Sequence, residues 1–285
     1  QYVGYQYEYQ NLAGKEEQWA NMFGGPSHTD PNFYTGAADY IRNTYGGKAG
    51  IDWQDLLFGG TALMQNHNVS ITGGTDKTKF ILSYNNTSQD GIVSKHAYNK
   101  NNIRLKLNHE IRKGIRLDFN TNFSNTDIEG GGSLGGMLKL AVLQPVTGGV
   151  KFTDDQLINT DVSTEMQLTD SQYDIYNPLI TNDAVTQNKY TRVYTMNAGI
   201  DIDITKDLTW RTSGSYRWQQ IREDYWDDGR TKTAETYLGP WGSRNNDEFY
   251  SYQITNTLTW KKSLGLHNIT TLLGQEIYYQ EKMNL

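Results

Sequence analysis

The chain has 285 residues, a net charge of −6 and no cysteine. The negative charge argues against nucleic-acid binding, and the lack of cysteine excludes disulfide scaffolds and thiolate metal sites. The longest apolar run, Leu140 to Leu143, is far shorter than the roughly 20 residues of a membrane helix. Tyrosine (20) and tryptophan (7) together greatly outnumber phenylalanine (8), which suits long strands at a boundary between water and lipid.

Alternation of apolar and polar residues predicts nine β-strands. In chain order they are Tyr2–Tyr9, Asn66–Thr72, Lys79–Asn86, Ile103–Asn108, Arg116–Phe123, Tyr190–Ile204, Leu208–Gln219, Tyr250–Trp260 and Ile269–Tyr279. The pattern is clearest after Leu208, where Trp210 and Trp218 fall on one face and Arg211 and Arg217 on the other. A period of two is the signature of a strand with one apolar face.

The predicted connections alternate between short and long. The long ones are Gln10–Gln65, Thr87–Lys100, Asn125–Lys189 and Gln220–Glu248, and a helix is expected at Leu134–Leu143. This alternation predicts an all-β, antiparallel transmembrane barrel with its long loops outside the cell. Because an open strand edge in lipid is costly, nine strands are expected to be only part of the barrel.

Aromatic residues recur at the spacing of a membrane. Trp210 and Trp218 are eight residues apart on one face, as are Tyr252 and Trp260, which corresponds to about 20 Å along the membrane normal. The predicted lipid-facing girdle is Tyr190, Tyr194, Trp210, Trp218, Tyr252 and Trp260. Arg192 is expected to extend from this face to the head groups. The alternative, a soluble sheet with core tryptophans, is disfavoured by the polar second face.

The polar face is predicted to line the lumen, since an Arg or Lys facing lipid at mid-membrane costs about 2–4 kcal/mol. Its members are Arg104, Lys106, Arg116, Asp118, Asn120, Arg211 and Arg217. No catalytic motif or metal-ligand spacing is present among the five histidines, so neither an enzyme, a cofactor nor a metal is predicted. Asp224, Asp227 and Asp228 suggest either a solvated acidic loop or a cation site, and the spacing favours the first.

Several blocks resemble the SusC/RagA family of TonB-dependent outer-membrane transporters from Bacteroidota. They are Asp52–Asp55, Asn68–Phe80, Leu82–Asn85, Gln89–Val93, Asn102–Asn108, His267–Thr270 and Leu273–Glu276. The resemblance implies a multi-pass barrel of about 22 strands in the cell outer membrane, of which residues 1–285 are a partial barrel domain lacking the plug and the last strands. It also implies a SusD-like surface lipoprotein as a lid, and TonB-driven import of oligosaccharides or peptides.

The resemblance gives the predicted sites alternative roles. Charged residues of the polar face would contact the plug, the substrate or only water. Trp226, Tyr237 and Trp241, placed in the last long loop, would stack on substrate, touch the lid or pack within the loop. A competing hypothesis for the whole protein is an outer-membrane barrel that does not transport and serves as an adhesive or structural anchor.

Overall fold

The computed structural model describes residues 27, 29–32, 35–36, 39, 43, 52–143 and 178–284. Eight antiparallel strands form one sheet in which every strand pairs with its neighbours in sequence. They are β1 (Met64–Gly74), β2 (Thr78–Asp90), β3 (Ala97–Arg112), β4 (Ile115–Gly130), β5 (Val185–Asp203), β6 (Leu208–Asp227), β7 (Trp241–Leu264) and β8 (His267–Asn284). The predicted all-β antiparallel fold is confirmed for these eight strands, and Tyr2–Tyr9 lies outside the described residues.

The turns alternate as predicted, but the strands are longer than the alternation pattern indicated. Residues 75–77, 113–114, 204–207 and 265–266 connect strands at one end, called the short-turn end. Gly114 (φ 82°) and Gly265 (φ 61°) adopt the left-handed backbone that two-residue hairpins require. Residues 91–96, 131–184 and 228–240 connect strands at the long-loop end.

The predicted loops Thr87–Lys100, Asn125–Lys189 and Gln220–Glu248 are therefore wrong in extent. Residues 87–90 and 97–100 belong to β2 and β3, 125–130 and 185–189 to β4 and β5, and 220–227 and 241–248 to β6 and β7. Backbone hydrogen bonds continue the ladder through these residues, although apolar and polar side chains no longer alternate there. Hydrophobic alternation is lost where the apolar surface ends, whereas strand pairing is not.

Within residues 52–143 and 178–284, four short helices lie at the long-loop end: α1 (Trp53–Phe58), α2 (Leu134–Leu143), α3 (Pro178–Ala184) and α4 (Lys232–Thr236). The prediction of α2 is confirmed. Trp53 and Leu57 of α1 are buried against Met137 of α2 and Val93 of the 91–96 loop. This cluster is a small core that holds the loops together above the strands. No helix in the described ranges has the length and apolarity to cross a membrane.

The register places most of the remaining apolar side chains on one face of the sheet. One row of directly paired residues runs through Val69, Tyr84, Ile103, Phe123, Tyr194, Trp218 and Tyr250. Large members of this face are exposed, including Ile254 (44%) and Leu273 (71%). A soluble monomer rarely exposes a continuous apolar surface of this extent. The surface is therefore suited to lipid.

Aromatic side chains mark the edge of this apolar face. Tyr84 Oη donates to Asn101 Oδ1 at 2.7 Å and Tyr279 Oη donates to a Glu281 carboxylate oxygen at 2.7 Å. Trp218 Nε1 donates to a carboxylate oxygen of Glu248. In each case the acceptor lies closer to the long-loop end than the ring does. The difference is two residues along the strand, counted from the donor or from the residue paired with it. Each ring thus has an apolar body on one side and a polar atom on the other, as at a membrane interface.

Candidate functional site

The polar face carries an ion-paired arginine near the short-turn end. Arg211 of β6 binds Asp118 Oδ1 at 2.7 Å and Asp201 Oδ2 at 2.9 Å, so it joins three neighbouring strands. Its guanidinium crosses directly over Gly199, where an added Cβ would lie 2.6 Å from Arg211 Nη2 and 2.8 Å from Asp118 Oδ1. Glycine at this position is what allows the side chain to span the sheet.

A second pair lies one step closer to the short turns. Arg116 makes two hydrogen bonds to the Asp203 carboxylate, at 2.7 and 2.9 Å, and Thr209 Oγ1 donates to the same group at 3.0 Å. The bidentate geometry fixes both side chains and links β4, β5 and β6. Together with Arg211, it makes this part of the polar face a rigid, internally neutralised wall.

Two other arginines of this face have no such neutralisation in the described part of the chain. Arg104 Nε donates to Asn120 Oδ1 at 3.2 Å, and Arg217 Nη2 donates to Gln219 Oε1 at 2.8 Å. Arg104 and Arg217 lie in the same row of paired residues, on β3 and β6. The register places the seven predicted lumen residues on one face of the sheet: Arg104, Lys106, Arg116, Asp118, Asn120, Arg211 and Arg217.

The predicted aromatic group at the long-loop end is divided by the structure. Trp241 packs in a tilted arrangement against both Tyr225 (4.6 Å between ring centroids) and Tyr237 (4.7 Å), and this ring stack lies on the polar side. Trp226 lies on the other face, over Gly242, with 51% of its surface exposed. Burial and the Asp227 charge raise the pKa of Tyr225. Tyr237, with 60% of its surface exposed, is therefore the ring of this group that is most open to a ligand.

Tyr225 is a further aromatic residue of this site that the sequence pattern does not identify. The predicted strand ends at Gln219, where alternation stops, whereas β6 continues to Asp227 and its register places Tyr225 on the polar face. Tyr190, one of the predicted girdle residues, lies on the apolar face four residues closer to the long-loop end than Tyr194. The Arg222 guanidinium lies 4.3 Å from the centroid of the Tyr190 ring. Arg192 is exposed, between Tyr190 and Tyr194.

The three aspartates Asp224, Asp227 and Asp228 have separate partners. Asp224 accepts from Arg244 at 2.6 Å, and Asp228 binds Arg230. Asp227 is fully buried and accepts hydrogen bonds from the Gly229 amide (3.1 Å) and the Thr231 hydroxyl. Within the described ranges, no group of three or more His, Asp or Glu residues is arranged to hold a metal ion.

An ion-paired cluster joins three connections at the long-loop end. Asp183 of α3 binds Lys95 of the 91–96 loop at 3.2 Å and Arg230 of the 228–240 loop at 2.8 Å. The hydrogen bond from Arg230 lowers the pKa of the Asp183 carboxyl, with a smaller contribution from Lys95. Asn182 adds a hydrogen bond from Nδ2 to the Ser94 carbonyl at 3.1 Å. Nothing in the sequence pattern brings these distant residues together, since the contacts depend on the fold of the loops.

The chain is similar to TonB-dependent receptors of two Bacteroidota. It is 25% identical over 266 residues to TonB-dependent receptor P3 of Formosa agariphila, covering 88% of this chain and 25% of the receptor. It is 24% identical over 255 residues to TonB-dependent receptor SusC of Bacteroides thetaiotaomicron, covering 81% of this chain and 24% of SusC. No protein-family model matches.

The fold is also that of a solved importer. The RagAB peptide importer in its closed-closed state superposes with a TM-score of 0.61 at 18% identity, over 95% of this chain and 30% of the importer chain. Its open-open state gives a TM-score of 0.59. The chain spans about a quarter of the length of the curated relatives it matches.

Proposed function

We propose that this chain serves the active import of a nutrient. It belongs with the SusC/RagA type of TonB-dependent receptors and forms part of their outer-membrane β-barrel wall. An oligosaccharide is the favoured substrate class and a peptide the second. The observation that carries the proposal is the separation of the sheet into an exposed apolar face and a charged, hydrogen-bonding face. A wall of this kind encloses an aqueous path through lipid.

Under this proposal, the ion-paired residues of the polar face have two roles. Arg116 and Arg211, neutralised by Asp203, Asp118 and Asp201, stiffen the wall and offer donors and acceptors to a plug that responds to TonB. The short turns then face the periplasm and the long-loop end faces outward. Energy enters from TonB at the periplasmic side, so no bond of the substrate has to be broken by this protein.

The outward end would contact a SusD-like lipoprotein lid. Three loops are fixed there by Asp183 and by the buried cluster around Trp53 and Met137. Tyr237, with 60% of its surface exposed at the edge of the Trp241 stack, is placed to touch either the lid or an incoming substrate. A loop region with a fixed conformation can bind a lid without an ordering cost.

Growth on defined substrates tests the proposal. A strain lacking the gene should lose growth on one oligosaccharide or peptide while keeping growth on the corresponding monomers. Reintroducing the complete gene should restore it. Unchanged growth on a broad panel of oligomers, together with a loss of surface attachment, would instead support the adhesive or structural anchor.

A further inference from the structure

A cavity of about 420 Å³ opens on the polar face of β6, β7 and β8, outside the ion-paired wall described above. Arg217 and Lys282 provide positive charge, Asp247 provides negative charge, and Phe249 and Tyr278 provide rings. The volume is within the range of small-molecule sites, roughly 300–1,000 Å³. Nothing in the wall function described so far requires a cavity with this composition.

One positive charge of the cavity, Arg217, has no counter-charge among the residues that the structure describes. Lys282 Nζ lies 3.3 Å from Asp247 Oδ2, so these two groups offset each other. Arg217 is exposed, donates only to the neutral amide of Gln219, and has no carboxylate within ion-pair distance among the described residues. Arg211, six residues earlier on the same strand face, has two. A guanidinium with free donors matches the two oxygens of a carboxylate.

The rings beside Arg217 add an apolar surface for the rest of a ligand. Tyr278 is 55% exposed, and its hydroxyl is turned to Gln280 Oε1 at 2.7 Å, which leaves the ring face available. Phe249 is half-buried in the same cavity. In the same cavity, the arginine can bind an anionic group and the rings can pack against an apolar or sugar-ring framework. The combination therefore favours a ligand that carries both.

The height of Arg217 in the barrel also fits a ligand site. At about 2.5 Å of height per residue in a tilted strand, Arg217 lies about 15 Å further from the short turns than Arg211. It is next to Trp218, which marks the outward edge of the apolar face. A substrate that enters from outside would therefore meet Arg217 before it reaches the neutralised wall.

We propose that Arg217, flanked by Phe249 and Tyr278, binds a carboxylate group of the transported oligomer. This inference rests on the import function proposed above and makes it more specific, since it predicts a substrate with a free acid. The acid could be the C-terminus of a peptide or a uronic acid of a glycan, because both present the same planar pair of oxygens.

Calorimetry on the complete protein, purified from outer membranes, tests the site with two matched pairs of probes. One pair is hexa-alanine and its C-terminal amide, and the other is trigalacturonate and its methyl ester. The acid form of one pair should bind about 10-fold more tightly than its neutral form, because a hydrogen bond to a charged group is lost in the latter. The pair that shows the preference identifies the source of the acid.

Substitution assigns the preference to Arg217. R217Q should remove it, R217K should retain part of it, and R104Q should leave it unchanged. Arg104 is the matched control because it lies in the same row of the polar face, is exposed and also bonds to an amide. A preference that survives R217Q, or no preference for either acid, would overturn the inference. Failure of the import function itself is seen separately, in the growth of the deletion strain.

Discussion

The two faces of the sheet make opposite predictions for a charge placed on neighbouring residues. Ile254 and Thr255 are adjacent on β7, with Ile254 paired to Gly214 and Ile277 on the apolar face and Thr255 to Ser213 and Glu276 on the polar face. Ile254 is four residues from Tyr250 and six from Trp260. At about 2.5 Å per residue, it lies roughly 10 and 15 Å from the two edges of a band about 25 Å thick.

A lysine at Ile254 would therefore lie near the middle of the membrane. Ile254→Lys should destabilise the folded barrel by about 2–4 kcal/mol, the cost of a lipid-facing Lys at the midplane. Thr255→Lys should cost less than about 0.5 kcal/mol, since its side chain extends into water and toward Glu276. The two variants share the strand and the introduced residue and differ in height by only about 2.5 Å, so the face is the main difference between them.

Urea unfolding of the complete barrel in lipid vesicles measures this difference, with the heat-modified shift in gel mobility as the readout of folded protein. A shift in the midpoint confined to Ile254→Lys is expected, together with a lower yield of that variant in outer membranes. Equal destabilisation by both variants, or none by Ile254→Lys, would refute the assignment of the apolar face to lipid.

Three further predictions concern named contacts. Arg211→Met should lower the free energy of unfolding by about 1–2 kcal/mol in the same assay, because it leaves two carboxylates without a partner; an unchanged midpoint would contradict this role. Trp241→Ala should reduce uptake and binding of the lipoprotein by removing the ring that supports Tyr237, whereas Trp226→Ala, on the opposite face, should not; equal effects would argue against the stack as a contact surface. Asp183→Asn should speed amide exchange in the 91–96 and 228–240 loops at neutral pH. Because the pKa of Asp183 is lowered in the folded protein, its contribution to loop stability is present above the ordinary carboxyl pKa and is lost as the pH falls through the lowered value. A loop exchange rate that depends on neither the pH nor the substitution would contradict the proposed link.

The sequence predicts the membrane-spanning parts of this fold well because one physical condition governs them. Between Leu208 and Gln219, a lipid face and a water face require strict alternation, and eight predicted strands are present. From Gln220 to Asp227 the strand leaves the apolar band and the alternation of apolar and polar residues stops, but the backbone pairing with β7 continues. Alternation cannot report that continuation.

Some features of the candidate site also follow from alternation, and others depend on the fold. The shared face of Arg104, Arg116 and Arg211 follows from a period of two and is predictable. The difference between Arg211, with two carboxylates, and Arg217, with none in the described residues, depends on which strands are neighbours and in what register. The stack of Tyr225, Trp241 and Tyr237 likewise depends on a loop returning over a strand, which no local pattern encodes.

Energy-dependent accumulation is the property that most directly distinguishes an importer from an anchor. The measurement is uptake of a fluorescent oligomer, chosen from those on which growth depends, by cells with the gene, without it, and with the gene but without TonB. The account predicts accumulation only in the first strain, with surface binding retained in the third. Equal accumulation in all three strains would contradict it.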